Sequence, residues 1–170
     1  LYGREVRAHW PALRGRLGMV AFMAAAGFTG FNTIFYIASA HTTGINVGII
    51  QGAMPVIVLL GAFLAYGDRV RPLQALGVAV TLSGVVLVAS RGELRVLTGL
   101  EFNTGDVWML GAALLYSIYT IAIRARPEMP GAALFTVFAV IAAVTAVPLA
   151  VWEATRPGWT PPTPEGWGLT

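Results

Sequence analysis

The sequence predicts an all-α fold, a polytopic helical membrane protein, and three observations carry that prediction. Only 11% of the residues are charged, against roughly 25% in a typical soluble domain. Between Arg16 and Asp68, 51 consecutive residues contain no Asp, Glu, Lys or Arg. The apolar residues also fall into five segments, about 17–40, 44–66, 73–90, 106–123 and 131–152, each close to the ~20 residues that cross a bilayer core as a helix. They are too long for barrel strands and show no sustained alternation of polar and apolar residues. A soluble protein with five such helices would need a polar shell that this composition does not supply.

Taken in order, each element has a local reason. Residues 1–16 carry Arg4, Arg7, Arg14 and Arg16 and form a polar approach to the first span. The turn His41-Thr42-Thr43-Gly44 is short, so the first two spans form an antiparallel hairpin. In the second span Pro55 lacks a backbone donor and clashes with the preceding turn, which predicts a kink near Gly52. Residues 67–72 form a tight turn, and Pro72 is suited to open the third helix. The fourth and fifth spans follow the loop 91–105. After them the proline-rich stretch 156–164 cannot be helical. Trp152, Trp159 and Trp167 suit a membrane–water interface. The chain starts at Leu1 and stops where Trp167 leads into another apolar start, so we expect a piece of a longer protein, cut at both ends.

Charge sets the expected topology. All 11 basic residues are Arg. Eight of them lie in 1–16, 67–72 and 124–130, and three (Arg91, Arg95, Arg156) lie in the other loops. Basic residues in short loops stay inside, so the first group is expected to be cytoplasmic and the protein multi-pass in a bacterial inner membrane. Eleven arginines against eight acids, so scattered, do not make a nucleic-acid surface. The chain has no Cys, which excludes disulfides and thiolate chemistry. It also lacks the zinc-protease, nucleophile-elbow and phosphate-loop motifs. No catalytic residue, metal or cofactor is expected, and the oligomeric state is left open.

Uncharged polar residues inside the spans are the candidates for function. A polar side chain in hydrocarbon needs a partner or water. Asn32 and Tyr36 share a helix face with Thr33, and Gln51, Tyr116 and Tyr119 lie in other spans. Two readings stay open for them: hydrogen bonds between helices, or the lining of a cavity. Gly44, Gly48 and Gly52 recur every four residues, a pattern that lets helices approach closely in lipid; alternatively their bared backbone lines a solute path. His41 sits at a helix end and reads as a turn residue. With the other ionisable groups confined to loops, a mechanism built on a buried carboxylate is not expected here.

At Gly105-Asp106-Val107-Trp108-Met109-Leu110-Gly111-Ala112-Ala113-Leu114-Leu115-Tyr116-Ser117-Ile118-Tyr119-Thr120, followed by Arg124, the chain resembles the opening of the second repeat in the EamA family of the drug/metabolite transporter superfamily. Residues 38–90 add a second match: a threonine-bearing turn, a helix with central Pro55, a tight turn with Asp68, and a helix with Gly77 and Gly84 closing on Gly-Val-Val-Leu-Val-Ala-Ser. Asp68 stands where the family usually has Glu, and Tyr116 where Trp is common. The resemblance implies a ten-helix transporter of two inverted five-helix repeats. Residues 1–90 would end the first repeat, 91–105 would join the repeats outside the cell, and 106–170 would open the second. It also implies alternating-access transport, often export, of small metabolites such as amino acids or drugs, through a central cavity. Asn32, Tyr36, Gln51, Tyr116 and Tyr119 are the candidate lining, and a small-molecule substrate and the lipid bilayer are the expected partners. The rival reading is a non-transporting membrane scaffold that binds a partner helix through its glycine stripe.

Overall fold

The computed structural model describes residues 2–90, 93, 99, 101–161 and 163. Among these, five helices are long and apolar enough to cross a membrane: Leu17–Ser39, Gly44–Tyr66, Pro72–Ala89, Thr104–Ala125 and Gly131–Ala154. These first to fifth spans lie within a few residues of the expected segments, and the described residues contain no strand. The expectations for Arg91, Arg95 and Trp167 lie outside the described residues. The chain is a multi-pass membrane protein.

The fourth span is the hub. It packs on the first span on one side and the second on the other, while the third span lies against the first half of the second and the fifth against the first. The fourth span can take two neighbours because Met109, Ala112, Ala113 and Ser117 make a narrow face of mostly small residues, each no more than 1% exposed. Where lipid is as apolar as the side chains, close backbone approach replaces the hydrophobic effect as the attraction between helices. Leu110, Leu114 and Ile118 point away from that face and are exposed. Leu64 at 82%, Leu73 at 78% and Val88 at 78% are more exposed still. So much open apolar surface would aggregate in water and is at home in hydrocarbon.

Two local irregularities shape the spans. The first span is α-helical over Leu17–Ala24, π-helical over Ala25–Gly30 and α-helical again over Phe31–Ser39. Such widened turns are uncommon and cluster at functional sites. Here the turn brings Gly27 against Tyr119, whose ring carbons lie 2.5–2.8 Å from where a Cβ would stand. It also carries Thr29, whose hydroxyl lies 2.6 Å from that of Thr145 on the fifth span. The second span is interrupted at Ala53, between Gly44–Gly52 and Met54–Tyr66, with Pro55 in the first turn of the second piece. Gly67, at φ 71°, ends that piece in the left-handed conformation glycine tolerates.

The N-terminal approach is more structured than expected. It forms two short helices, Gly3–Ala8 and Trp10–Arg14. Leu13 is 1% exposed and clusters with Val20, Met23 and Ala24 of the first span and Leu134 and Phe138 of the fifth. Arg16 donates to the Ala125 carbonyl at 2.8 Å, answering a free carbonyl at the negative end of the fourth span. One apolar side chain therefore anchors a segment whose arginines read as loop.

One expectation is corrected. The fourth span begins at Thr104, two residues before the expected start at Asp106, so Asp106 lies in its first turn rather than at the loop boundary and is 1% exposed. The charges are not all confined to loops. Asp106 is held there by the reciprocal cap that it forms with Asn103.

Candidate functional site

A groove of about 900 Å³ runs between the second half of the first span and the fifth span. Asn32, Thr33 and Tyr36 line one wall, and Ala142, Ala146 and Ala150 line the other. The alanines recur every four residues, so the fifth span presents a shallow face and leaves room. The Asn32 amide donates to the Phe28 carbonyl at 2.6 Å, and the Thr33 hydroxyl to the Thr29 carbonyl at 2.8 Å. Both bonds use carbonyls of the widened turn, which fixes this wall. Tyr36 is 71% exposed, leaving its ring and hydroxyl available to a solute. At one end of the groove stand His41, Glu153 and Arg156, and the Arg156 guanidinium lies 3.9 Å over the Trp152 ring. The lining is thus mostly apolar, with a few polar groups and both signs of charge at its mouth, the composition of small-molecule sites.

The five expected lining residues do not share one surface. The structure brings Asn32 and Tyr36 together in the groove. Tyr116 and Tyr119 lie on the far side of the first span, their rings 5.6 Å apart. There Tyr116 sits 4.9 Å from Phe31, and Tyr119 packs edge-on against Phe28 at 5.8 Å. Gln51 stands apart, half-buried on the second span. Phe31 packs on Tyr116 of the fourth span, and Asn32, one residue on, is turned by about 100° around the helix toward the groove, with Tyr36 one turn beyond it. Phe28 lies between the two surfaces, touching Tyr119 and also lining the groove.

The glycine stripe divides as well. Gly52 lies against Val85 of the third span, while Gly44 and Gly48 have nothing within 4 Å of a would-be Cβ. Gly48→Ala should therefore leave a chain with only these contacts unchanged, or stabilise it by about 0.5–1 kcal/mol through helix propensity. A lowered melting temperature for that variant in the full-length protein would mean that a further helix packs on Gly48.

Asp106 is the residue that sequence reasoning passed over. Asn103 caps the fourth span: its side-chain oxygen accepts the Asp106 N–H at 3.2 Å, and the Asp106 carboxylate accepts the Asn103 N–H at 2.9 Å. This is a reciprocal capping box, readable in principle from the Asn103-Thr104-Gly105-Asp106 spacing. The same carboxylate accepts from the Thr42 hydroxyl and, at 2.9 Å, from the Asn46 amide. Asn46 also reaches the Glu101 carbonyl at 3.1 Å. Beside it Gly105 approaches the His41 backbone so closely that a Cβ would overlap the carbonyl. A charge is tolerable there because three donors and the positive end of a helix offset its desolvation. The result is a polar latch between the turn joining the first two spans and the start of the fourth.

At the opposite end Arg124 pairs with Asp68 and lies 4.9 Å from the centre of the Tyr66 ring. The Tyr66 hydroxyl donates to the Ile121 carbonyl at 3.2 Å. The ion pair is half-exposed on both sides and contributes at most about 1 kcal/mol. Among the described residues no group of His, Asp and Glu is placed to hold a metal ion.

Comparison with known proteins places the chain in a family. No solved structure matches the chain. It is similar to an uncharacterized transporter, YyaM, of Bacillus subtilis (strain 168), with 26% identity over 98 residues, covering 58% of this chain and 32% of that protein. An uncharacterized transporter of Archaeoglobus fulgidus is 29% identical over 102 residues, covering 60% of this chain and 34% of the relative. The matched stretch thus spans about a third of each relative's length. The model of the EamA-like transporter family matches residues 5–90, just over half of the 170 residues, and the chain belongs to that family.

Proposed function

We propose that this chain forms part of a secondary transporter that moves small metabolites, amino acids or drugs, across a bacterial inner membrane by alternating access, in the direction of export. The observation that carries this reading is the groove: about 900 Å³, with Asn32 and Tyr36 on its wall and Glu153 and Arg156 at its mouth. Opposite charges at one end and an aromatic ring along the wall suit a zwitterionic or aromatic solute. Residues 1–90 would close the first repeat and 106–170 open the second, with the arginine-rich loops in the cytoplasm. Tyr116, Tyr119 and Gln51 would then reach the solute only in another conformation, or through helices beyond those described.

The test is flux. Full-length protein in proteoliposomes loaded with a panel of amino acids and drugs should release at least one solute faster than protein-free vesicles. Tyr36→Ala should slow that release while leaving the melting temperature unchanged. Equal solute distribution with and without the protein across the panel would remove the transporter reading. The open faces of Gly44 and Gly48 favour one alternative, a scaffold that binds a partner helix; for it, flux is absent and Gly48→Leu releases a co-purifying membrane protein.

A further inference from the structure

We propose that a cavity at the arginine-rich end binds the phosphate headgroup of an anionic phospholipid. The cavity, about 500 Å³, lies where the loop between the second and third spans meets the end of the fourth. Arg69, Arg71 and Arg124 line it together with one carboxylate, Asp68. Asp68 is engaged by Arg124, and neither Arg69 nor Arg71 has an ion-pair partner among the described residues. The cavity therefore carries two uncompensated guanidiniums, the group whose planar fork best matches phosphate oxygens.

Position argues for lipid over a free anion. The membrane side of the cavity is walled by Leu59 and Ala62. The flanking faces of the second and third spans expose Leu60, Phe63, Leu73 and Leu76. A ligand seated here meets arginines at its head and exposed apolar side chains of the two spans beside its body, which is the division within a phospholipid. The loop is also held in shape. Gly67 turns the chain out of the second span at φ 71°, and the Arg71 N–H donates to the Gln74 side chain at 2.9 Å, opening the third helix. The net positive charge selects an anionic headgroup over a zwitterionic one, and the loop-arginine imbalance puts the cavity at the cytoplasmic leaflet, where anionic lipid attracts basic segments.

The experiment uses full-length protein in nanodiscs and native mass spectrometry of the lipids it retains. From an equal mixture, the wild type should retain phosphatidylglycerol over phosphatidylcholine by about tenfold or more. R69Q/R71Q should lose that preference, R69K/R71K should keep most of it, and R4Q/R7Q, at two arginines that do not line the cavity, should keep all of it. Equal retention of the two lipids by the wild type overturns the proposal without any variant having to fold. So does a preference that survives in R69Q/R71Q. Competition by millimolar inorganic phosphate as effective as by the lipid would make this a free-phosphate site and overturn the lipid assignment.

Discussion

Asp106→Ala should cost the full-length protein about 3–5 kcal/mol of stability, the largest effect expected of any single change described above. The carboxylate accepts from the Thr42 hydroxyl, the Asn46 amide and the Asn103 N–H, and it is 1% exposed. Alanine leaves those donors without an acceptor at the end of a packed bundle. Each orphaned buried group costs on the order of 1–3 kcal/mol, reduced where it can turn to another partner. Asn46 keeps the Glu101 carbonyl at 3.1 Å, so the total falls below a simple sum. Asp106→Asn retains the volume but places an N–H₂ where a donor already points, and should cost about 1–3 kcal/mol. Denaturation in detergent micelles measures both. If Asp106→Ala melts with the wild type, the latch is not holding the two segments together.

Gly105→Ala should cost about 1–3 kcal/mol, through a different mechanism at the same junction. The added methyl overlaps the carbonyl of His41, and backbone cannot step aside as a flexible side chain can. The turn 41–46 and the fourth span must separate, which also stretches the bonds from Thr42 and Asn46 to Asp106. Gly111→Ala is the internal control. It lies on the same helix with nothing within 4 Å of its Cβ position, so it should be neutral or stabilising by up to about 1 kcal/mol. Equal melting temperatures for the two variants would mean that the close approach at Gly105 is not sustained in the full protein. A further, smaller effect is expected at Thr145→Val, which removes the 2.6 Å hydroxyl contact with Thr29 and should cost about 1 kcal/mol, as interhelical hydrogen bonds in membranes do.

The spans were legible in the sequence because bilayer thickness imposes one length on every crossing segment, and sparse charges mark the loops. The short turn at His41–Gly44 and the helix start at Pro72 followed from local chain chemistry in the same way. What escaped was set by contacts between distant segments. The widened turn over Ala25–Gly30 has no composition that announces it; it coincides with Gly27 meeting Tyr119, 92 positions away in the chain. The two short helices before residue 15 depend on Leu13 entering a cluster with Leu134 and Phe138. Asp106 was legible as the acidic end of a capping box, but its other role needed the turn at Thr42–Asn46 to come within reach. The aromatic and amide candidates were sound as polar residues in spans, yet which faces met could not be read from spacing alone. Asn32 and Tyr36 turned toward the fifth span, while Tyr116 and Tyr119 turned toward Phe28 and Phe31.

The proposed transport role requires the groove between the first and fifth spans to be a water-filled solute path. Because this chain carries no cysteine, single cysteines at Asn32 and Tyr36 of a cysteine-free full-length protein can be titrated in vesicles with a membrane-impermeant thiol reagent. Cysteines at Leu64 and Leu76, both on exposed apolar faces, serve as lipid-facing references. Positions 32 and 36 should label readily and be protected by a transported solute, while 64 and 76 stay unlabelled. Labelling at 32 and 36 no faster than at 64 and 76 would contradict that role.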